Sequence, residues 1–488
     1  MDEIEKKNKE LLEEIEKLKR KVKTLKSRKK YGLVWEEEKE PEQIVLDCQY
    51  KIPTLKEVST KKIITDEKKP MNILIEGDNY HALSVLNYTY KGKIDVIYID
   101  PPYNTGKANE WRYNDKYADE NDVYRHSKWL SFMDSRLKLA KNLLKKTGVI
   151  FISIDDNEIH NLREIMDEIF REENFIATFI RKSGIAPRLD AKYLATQHDY
   201  VVCYSRNIKK VVINRQISEA KGFRYEDEYV TERGRYRLNK LDRGSIRYSE
   251  SLDYPIVSPD GEKIYPGGDS EDKKWTWRWS KSKVEWGISN GFIVFKKNRE
   301  NKWSVYYKEY ELVDNEGNPR IRTNPYNTFI MEAHNEKGTS EINDLFGEKI
   351  FDYPKPLDLM RHLLKIASDK NSLVMDFFAG SGTTGHAVLD INKKDGGNRK
   401  FILCTNNENN ICTEVCYPRI EKVIKGYKNL KGKQVEGLGG NLRYLKTELL
   451  DGDHISHISD EQKIKLTYKA GEMIALRENT FEKVEKNE

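Results

Sequence analysis

Long apolar runs, a signal-like N-terminus and zinc-type cysteine spacings are all missing from this sequence of 488 residues. No stretch approaches the roughly 20 apolar residues that a transmembrane helix requires. The first residues form a charged repeat, unlike the apolar segment of a signal peptide. The five cysteines are an odd number, and their spacing matches no zinc site. We therefore expect a soluble, cytoplasmic protein without disulfides or a bound metal ion.

A strong excess of charge of one sign is also absent. Lysine and arginine together number 86, and aspartate and glutamate number 80, so the formal net charge is only +6. Total charge therefore gives no argument for a polyanionic partner. Contact with nucleic acid has to be argued from local clusters of basic residues.

A heptad pattern is present near the start of the chain. Two series of residues recur every seven positions, namely Ile4, Leu11, Leu18 and Leu25, and Asn8, Ile15 and Val22. Leucine in one series with β-branched residues and a single asparagine in the other favours a parallel two-stranded coiled coil. Residues 1–30 are thus predicted to form a dimerisation helix. An amphipathic helix packed on its own domain is the alternative, because about three heptads are marginally stable alone.

Short apolar runs alternate with helix-like segments in two separate parts of the chain. Strands are predicted at 72–75, 94–99, 149–154, 200–204, 373–378 and 401–405, and helices around 83–86, 129–144, 159–169, 357–367 and 385–391. This alternation indicates an α/β domain with a mainly parallel sheet.

The alternation is lost between 207 and 347, where Arg, Trp, Tyr, Gly and Pro are frequent. This change predicts an inserted domain of mixed structure, with Trp275, Trp277 and Trp279 in its core. The predicted organisation is a dimerisation helix 1–30, a linker and N-terminal extension 31–70, one α/β half 71–206, the insert 207–347, the other α/β half 348–440 and a C-terminal tail 441–488.

The tetrapeptide Asp100-Pro101-Pro102-Tyr103 directly follows the predicted strand 94–99. It therefore lies at a strand's carboxyl end, where open α/β sheets bind ligands. An exocyclic base amine needs acceptors for its two N–H bonds before its nitrogen can attack a methyl group. The carboxylate of Asp100 and the carbonyl of Pro101 suit that task, and Tyr103 offers a stacking face to a flipped-out base. A plain turn that caps a helix is the alternative.

A glycine-rich segment, Asp376-Phe-Phe-Ala-Gly-Ser-Gly-Thr-Thr384, follows the predicted strand that begins at 373. Gly380 and Gly382 allow the backbone to approach a ligand closely, and Asp376 offers a carboxylate at the strand end. The segment lacks the lysine of a phosphate-binding loop and the third glycine of a dinucleotide-binding loop. A sulfonium nucleoside fits it better than a phosphate does.

These two motifs together resemble the amino-methyltransferases of DNA, with Phe378-Ala-Gly-Ser-Gly382 as the S-adenosylmethionine motif. The catalytic motif comes first and an insert separates the two, an order similar to the circularly permuted β class. The segments Asp100-Pro-Pro-Tyr-Asn-Thr-Gly106, Phe151-Ile-Ser-Ile-Asp-Asp-Asn-Glu158 and Pro354-Lys-Pro356 resemble the modification subunit of type III restriction systems. The resemblance covers about residues 31–480.

The resemblance implies the fold of an S-adenosylmethionine-dependent methyltransferase that modifies N6 of adenine in double-stranded DNA. It further implies a homodimer and a restriction subunit as partners. The implied catalytic residues are Asp100, Pro101, Pro102 and Tyr103. The implied cofactor-binding residues are Asp376, Phe378, Gly380, Gly382, Lys355, Glu408 and Asp78.

Three of the implied cofactor residues have more specific expectations. Lys355 lies in the family's segment beside the cofactor pocket. Glu408 is the candidate for binding the ribose hydroxyls. Asp78 either lines the pocket or caps the helix that follows it.

A cluster of basic residues lies in the predicted insert: Arg233, Arg235, Arg237, Lys240, Arg243 and Arg247. Such a cluster suits contact with phosphates, and arginine can also read guanine in the major groove. A solvated charged face is the alternative. We expect the insert as a whole to bind DNA.

Related methyltransferase activities differ in the residues that they require. Methylation at C5 of cytosine requires a cysteine nucleophile, usually after a proline, and no cysteine here follows one. RNA and protein amine methyltransferases commonly carry Asn in place of Asp100. Methylation at N4 of cytosine uses the same geometry and stays open, as does a DNA-binding remnant without activity. Family members continue beyond the position of Glu488, so assembly with a restriction subunit also stays open.

Overall fold

The computed structural model describes residues 42–105, 124–186, 193–218, 222–244, 248–268, 274–298 and 300–451. The predicted dimerisation helix 1–30 and residues 452–488 of the predicted tail lie outside these ranges. The chain divides into two compact units. The smaller is Arg215–Tyr326, and the larger contains the residues before and after it.

The larger unit is built on one ten-stranded sheet. Its strands are β1 (Lys51–Glu57), β2 (Met71–Glu76), β3 (Ile94–Ile99), β4 (Leu144–Ile154), β5 (Phe175–Lys182), β6 (His198–Ser205), β7 (Phe329–Ile330), β8 (Leu373–Asp376), β9 (Lys400–Thr405) and β10 (Asn441–Asp451). Their order across the sheet is β1-β10-β2-β9-β8-β3-β4-β6-β5-β7. Only β1 and β6 run antiparallel to their neighbours in this sheet. The predicted, mainly parallel α/β sheet is confirmed.

Eight helices of the larger unit are described: α1 (Gln43–Tyr50), α2 (Asn79–Thr89), α3 (Arg125–Leu143), α4 (Ile159–Phe170), α5 (Asn335–Phe346), α6 (Leu357–Ala367), α7 (Thr383–Asp395) and α8 (Tyr417–Lys425). The central strands of the sheet are buried on both faces. In β3, Ile97 and Ile99 pack in one core cluster with residues of α2, α3 and α4. The alternate residues Val96 and Tyr98 are equally buried but lie outside that cluster. Burial on both faces explains why the parallel strands are continuous apolar runs.

The strand β10 is a difference from the sequence analysis, which assigned residues from 441 onward to a tail. This strand pairs in parallel with β2 and antiparallel with β1, so the linker region also contributes a strand. Polar residues interrupt the apolar run in this strand, so the pattern of apolar residues did not predict it. Arg443, for example, is buried, and its guanidinium forms an ion pair of 3.2 Å with Glu57.

The smaller unit contains several short strands around an aromatic core. A three-stranded sheet has the order Ile293–Lys297, Trp303–Tyr310, Tyr236–Lys240. The two-stranded pairs are Gln216–Ile217 with Thr323–Asn324, Asp242–Gly244 with Trp275–Trp277, and Ile256–Val257 with Lys263–Ile264. Helices span Val230–Arg233 and Lys281–Ser289. Trp277 and Trp279 are buried in the core, as predicted, whereas Trp275 is partly exposed.

This unit is shorter at both ends than the predicted insert 207–347. On one side, the Asn214 side chain donates hydrogen bonds of 2.9 Å to the carbonyls of Lys365 and Ser368. On the other side, β7 pairs with β5 and extends the large sheet. The flanking residues therefore belong to the α/β unit, which their irregular sequence pattern did not reveal.

Within the described ranges, none of the helices combines the length and the hydropathy that a membrane span needs.

Candidate active site

The motif Asp100–Tyr103 begins immediately after β3, at the carboxyl edge of the sheet. The indole nitrogen of Trp129 donates a 2.7 Å hydrogen bond to the carbonyl of Pro102. The side chain of Asn104, at a positive φ of 54°, is also tied down. The loop is therefore held at the carbonyl of Pro102 and at the side chain of Asn104.

The glycine segment begins at the end of β8, the strand beside β3. The backbone pairs Val96 with Val374 and Ile97 with Met375. Asp100 and Phe378 each follow three residues after that last pair, so the two motifs leave adjacent strands at the same level. Tertiary structure thus places side by side two motifs that the smaller unit separates in the sequence.

Asp376 shapes the glycine segment from inside. Its side chain accepts hydrogen bonds from the Thr384 hydroxyl at 2.6 Å and from the Phe378 backbone N–H at 3.0 Å. Burial raises the pKa of Asp376 to about 7, although these two hydrogen bonds lower it. Gly380 and Gly382 have φ values of 50° and 78°, in the left-handed region that favours glycine.

A second polar network supports the same segment, and the sequence analysis did not identify it. The side-chain amide of Asn79 donates to the carbonyl of Phe377 at 3.0 Å. Asn79 in turn accepts a hydrogen bond from Arg136 at 2.5 Å, and the fully buried Arg136 forms an ion pair of 2.8 Å with Glu42. The position of Arg136 on the buried face of α3 was a usable signal, because an arginine among core residues needs a partner.

Asp78 and Glu408 lie near this edge in different ways. Asp78 caps α2, because its Oδ1 accepts a 2.7 Å hydrogen bond from the Tyr80 N–H. Glu408 lies in a short 3₁₀ turn, Glu408–Asn410, three residues after β9 ends. The capping alternative for Asp78 is therefore observed, while a ribose contact by Glu408 stays a prediction.

The chemistry of this edge fits S-adenosylmethionine. Asn406 directly follows β9, and its Oδ1 is buried without a hydrogen-bond partner among the described residues. The Ala379 N–H donates to the carbonyl of Cys404 at 3.0 Å, so the glycine segment lies next to Asn406. A buried hydrogen-bond acceptor lies here beside a glycine segment whose backbone a ligand can approach closely. This combination suits a ligand with hydroxyl donors, such as a ribose.

Lys355 contacts both functional side chains of the catalytic motif. Its ammonium lies 2.8 Å from Oδ1 of Asp100 and donates a 2.9 Å hydrogen bond to the hydroxyl of Tyr103. It also lies 4.8 Å from the centre of the Tyr103 ring. The lysine thus contacts the catalytic motif directly.

Three of the six predicted DNA-binding residues are engaged inside the smaller unit. Arg233 stacks on the ring of Tyr229, 3.7 Å from its centre. Arg235 and Arg237 each form an ion pair of 2.8 Å with a glutamate. Their charges are therefore partly offset.

Lys240 and Arg243 have exposed side chains, while Arg247 lies outside the described residues. The exposed Arg278 lies beside them, because its Nε donates to the carbonyl of Lys240 at 3.2 Å. Arg278 is not among the residues predicted from the sequence. Its position between Trp277 and Trp279 was the available signal, since alternate strand residues face opposite ways.

In the part of the chain that the structure describes, no group of three or more His, Cys, Asp or Glu residues could hold a metal ion.

Comparison with known proteins adds three findings. A family model for N6 and N4 methyltransferases, described as DNA methylase, matches residues 94–415. The Mod subunit of the type III restriction-modification enzyme StyLTI from Salmonella typhimurium is 33% identical over 393 residues, which cover 74% of this chain and 57% of that protein. The EcoPI Mod subunit of Escherichia phage P1 is also 33% identical, over 70% of this chain and 58% of that protein. The chain therefore spans less than three fifths of these two relatives.

The type II methyltransferase M.KpnI of Klebsiella pneumoniae is 30% identical over 401 residues. That alignment covers 74% of this chain and 89% of the relative. The similarity thus extends over nearly the whole length of one relative that is named as a methyltransferase.

Proposed function

The chain belongs to the N6 and N4 DNA methylases, and from that membership we propose that it transfers a methyl group from S-adenosylmethionine to N6 of adenine in double-stranded DNA. The observation that carries this proposal is the pairing of β3 with β8. That pairing presents Asp100–Tyr103 and the glycine segment at the same level of one sheet edge. This arrangement supports an amine-acceptor site and a nucleoside site beside each other.

The residues of the catalytic motif have distinct tasks in this proposal. Asp100 and the carbonyl of Pro101 accept the two N–H bonds of the flipped-out base, which directs the nitrogen lone pair towards the cofactor pocket. Pro102 holds the loop through Trp129, and Tyr103 stacks on the base. Asp100 then takes the proton that the amine loses as its new N–C bond forms. When bound, S-adenosylmethionine would supply the electrophilic methyl group, and its S–CH3 bond would break to leave S-adenosylhomocysteine.

The cofactor residues act mainly through the loop that they form. Gly380 and Gly382 let the backbone come close to the ligand, Phe378 packs against it, and Asp376 holds the loop from beneath. Asn406 accepts a hydrogen bond from the ribose, with Glu408 and Asp78 nearby. We assign Lys355 to the catalytic motif.

We further propose that the chain is a type III modification subunit that acts as a homodimer, with a restriction subunit as its partner. The support is its likeness to the StyLTI and EcoPI Mod subunits and the heptad pattern at residues 4–25. The smaller unit would then recognise the DNA site. Analytical ultracentrifugation of the full chain and of a Leu11→Glu, Leu18→Glu variant tests the dimer, which should dissociate in the variant.

The decisive experiment incubates the purified chain with S-adenosylmethionine and unmodified plasmid DNA, followed by sequencing that detects modified bases. N6-methyladenine at one short motif is expected with the wild type and should be absent with Asp100→Ala. N4-methylcytosine would move the assignment to cytosine. No modified base with the wild type, despite cofactor binding, would contradict the proposal and favour a DNA-binding protein without activity.

A further inference from the structure

The ammonium of Lys355 joins the two functional side chains of the catalytic motif. It lies 2.8 Å from Oδ1 of Asp100 and 2.9 Å from the hydroxyl of Tyr103. The lysine side chain is only 13% exposed, whereas that of Asp100 is 27% exposed. A largely desolvated ammonium makes a strong, directional hydrogen bond to Tyr103. Its contact with Oδ1 of Asp100 is an ion pair without hydrogen-bond geometry.

These contacts give the two carboxylate oxygens of Asp100 different surroundings. Oδ1 of Asp100 is buried without a hydrogen-bond partner among the described residues, and the ammonium faces it as an ion pair. The exposed part of the carboxylate is therefore on the side of Oδ2. Rotation of the carboxylate is thereby restricted, and Oδ2 is the oxygen that remains available to a base amine. A free aspartate would lose conformational entropy each time it oriented itself for a substrate.

The same ammonium restricts Tyr103. Burial, together with nearby Asp100, raises the pKa of Tyr103 well above its usual range, so the phenol stays neutral and accepts the hydrogen bond. The hydrogen bond anchors the hydroxyl at one end of the ring, and the ring centre lies 4.8 Å from the ammonium. The plane on which a base would stack is therefore set before the base arrives.

We propose that Lys355 is a positioning residue for the target base, which orients the acceptor oxygen of Asp100 and the stacking ring of Tyr103. This inference rests on the proposed function and adds a specific role within it. It differs from the expectation that Lys355 binds the cofactor.

The backbone around Lys355 is held in place from α5. Gly338 on that helix packs so closely that an added Cβ would lie 2.1 Å from the carbonyl oxygen of Pro354. Glu341, one turn later, accepts a 3.0 Å hydrogen bond from the N–H of Leu357. A change at Gly338 would thus move the lysine without altering its charge.

The test compares Lys355→Met and Lys355→Arg with a control, Lys365→Met, an exposed lysine on α6. Steady-state methylation gives kcat and the KM for DNA, and calorimetry gives the Kd for S-adenosylmethionine. For Lys355→Met we expect kcat to fall about a hundredfold, with KM and Kd changed by less than about threefold. Lys355→Arg should recover part of kcat, because it restores the charge but not the geometry. The control should match the wild type.

A Gly338→Ala variant supplies an independent arm, with the exposed Ser340→Ala on the same helix as its control. A shifted Pro354 should lower kcat in the same selective way while Lys355 stays in the chain. Thermal melts establish that the variants are folded. Should Gly338→Ala unfold, the comparison of Met and Arg at 355 decides alone.

The outcomes separate cleanly. Cofactor affinity that falls in parallel with kcat in Lys355→Met would overturn the proposal and make Lys355 a cofactor ligand. Unchanged kcat in that variant would also overturn it. A wild-type chain that methylates no base would instead refute the proposed function, before any variant is compared.

Discussion

The side-chain amide of Asn104 donates a 2.5 Å hydrogen bond to Oε1 of Glu158. Glu158 is fully buried, and its carboxylate also lies 2.7 Å from Nδ1 of His126 and accepts a 2.7 Å hydrogen bond from the Asn161 side chain. One buried carboxylate therefore ties the loop after β3 to α3 and α4. A buried carboxylate without partners would lower the stability of the fold, so the contacts of Glu158 with its partners hold all of these side chains in place.

Replacing Glu158 by Gln should loosen the catalytic loop, because one acceptor oxygen becomes an amide that faces other donors. We expect an unfolding free energy lower by about 1–3 kcal/mol and a methylation kcat lower by about ten- to a hundredfold. Denaturant unfolding and steady-state kinetics measure the two effects. Glu168→Gln, at an exposed position of α4, the helix that Glu158 precedes, is the control. A folded Glu158→Gln enzyme with normal kcat would show that the loop does not depend on this contact.

Gly382→Ala should weaken cofactor binding. The residue has a φ of 78°, and an added Cβ would lie 3.0 Å from the sulfur of Cys416. Strain of about 1–3 kcal/mol would shift the loop, so the Kd for S-adenosylmethionine should rise about tenfold or more. Gly396→Ala is a matched control, because its φ of 67° imposes similar strain where nothing lies within 4 Å of a Cβ. Equal effects of both variants on Kd would argue against a local role for the glycine loop.

Asp376 should make stability depend on pH. Its folded pKa of about 7 lies above the value of about 3.9 in an unfolded chain. Between these values the folded state holds a proton that the unfolded state has released. The group's contribution is therefore fully present below pH 4 and is lost as pH rises through 7, an effect on the order of a few kcal/mol.

The isosteric Asp376→Asn variant has no such titration. Its unfolding free energy, relative to that of the wild type, should increase from pH 5 to pH 8. Urea unfolding at both values measures the difference. A constant difference between variant and wild type across this range would show that Asp376 titrates outside it.

The exposed basic residues of the smaller unit should bind DNA phosphates. Lys240→Gln, Arg243→Gln and Arg278→Gln should each weaken binding and reduce the slope of log Kd against log salt by about 1. Fluorescence anisotropy at several salt concentrations gives this slope. Lys302→Gln, in a turn of the same unit, is the control for net charge, since its side chain is also exposed. A control with the same loss would show that charge in general, and not this surface, governs binding.

Arg233 should behave differently from those three. The guanidinium of Arg233 stacks on Tyr229 and donates a 2.9 Å hydrogen bond to the carbonyl of Asn290. Arg233→Gln should therefore lower the melting temperature and leave the slope of log Kd against log salt nearly unchanged. The reverse result would return Arg233 to the DNA-binding set.

Local pattern was sufficient for much of the fold. The apolar run 94–99 and the amphipathic segment 357–367 were predicted at the bounds that β3 and α6 have in the structure. Clear signals mark their bounds. An aspartate and two prolines follow the strand, and Pro356 precedes the helix. Where a strand carries polar residues that pair with distant ones, as β10 does through Arg443 and Glu57, the apolar pattern is broken and the element was missed.

The sequence by itself determined the class of sheet, the two motifs and the family, because periodicity and motif chemistry are properties of neighbouring residues. Only the tertiary structure decided which polar groups meet. Lys355 lies 252 residues after Tyr103 and nevertheless donates to its hydroxyl. Such a contact depends on strand order, on register and on the close packing of Gly338 against Pro354, and none of these is encoded in a local pattern.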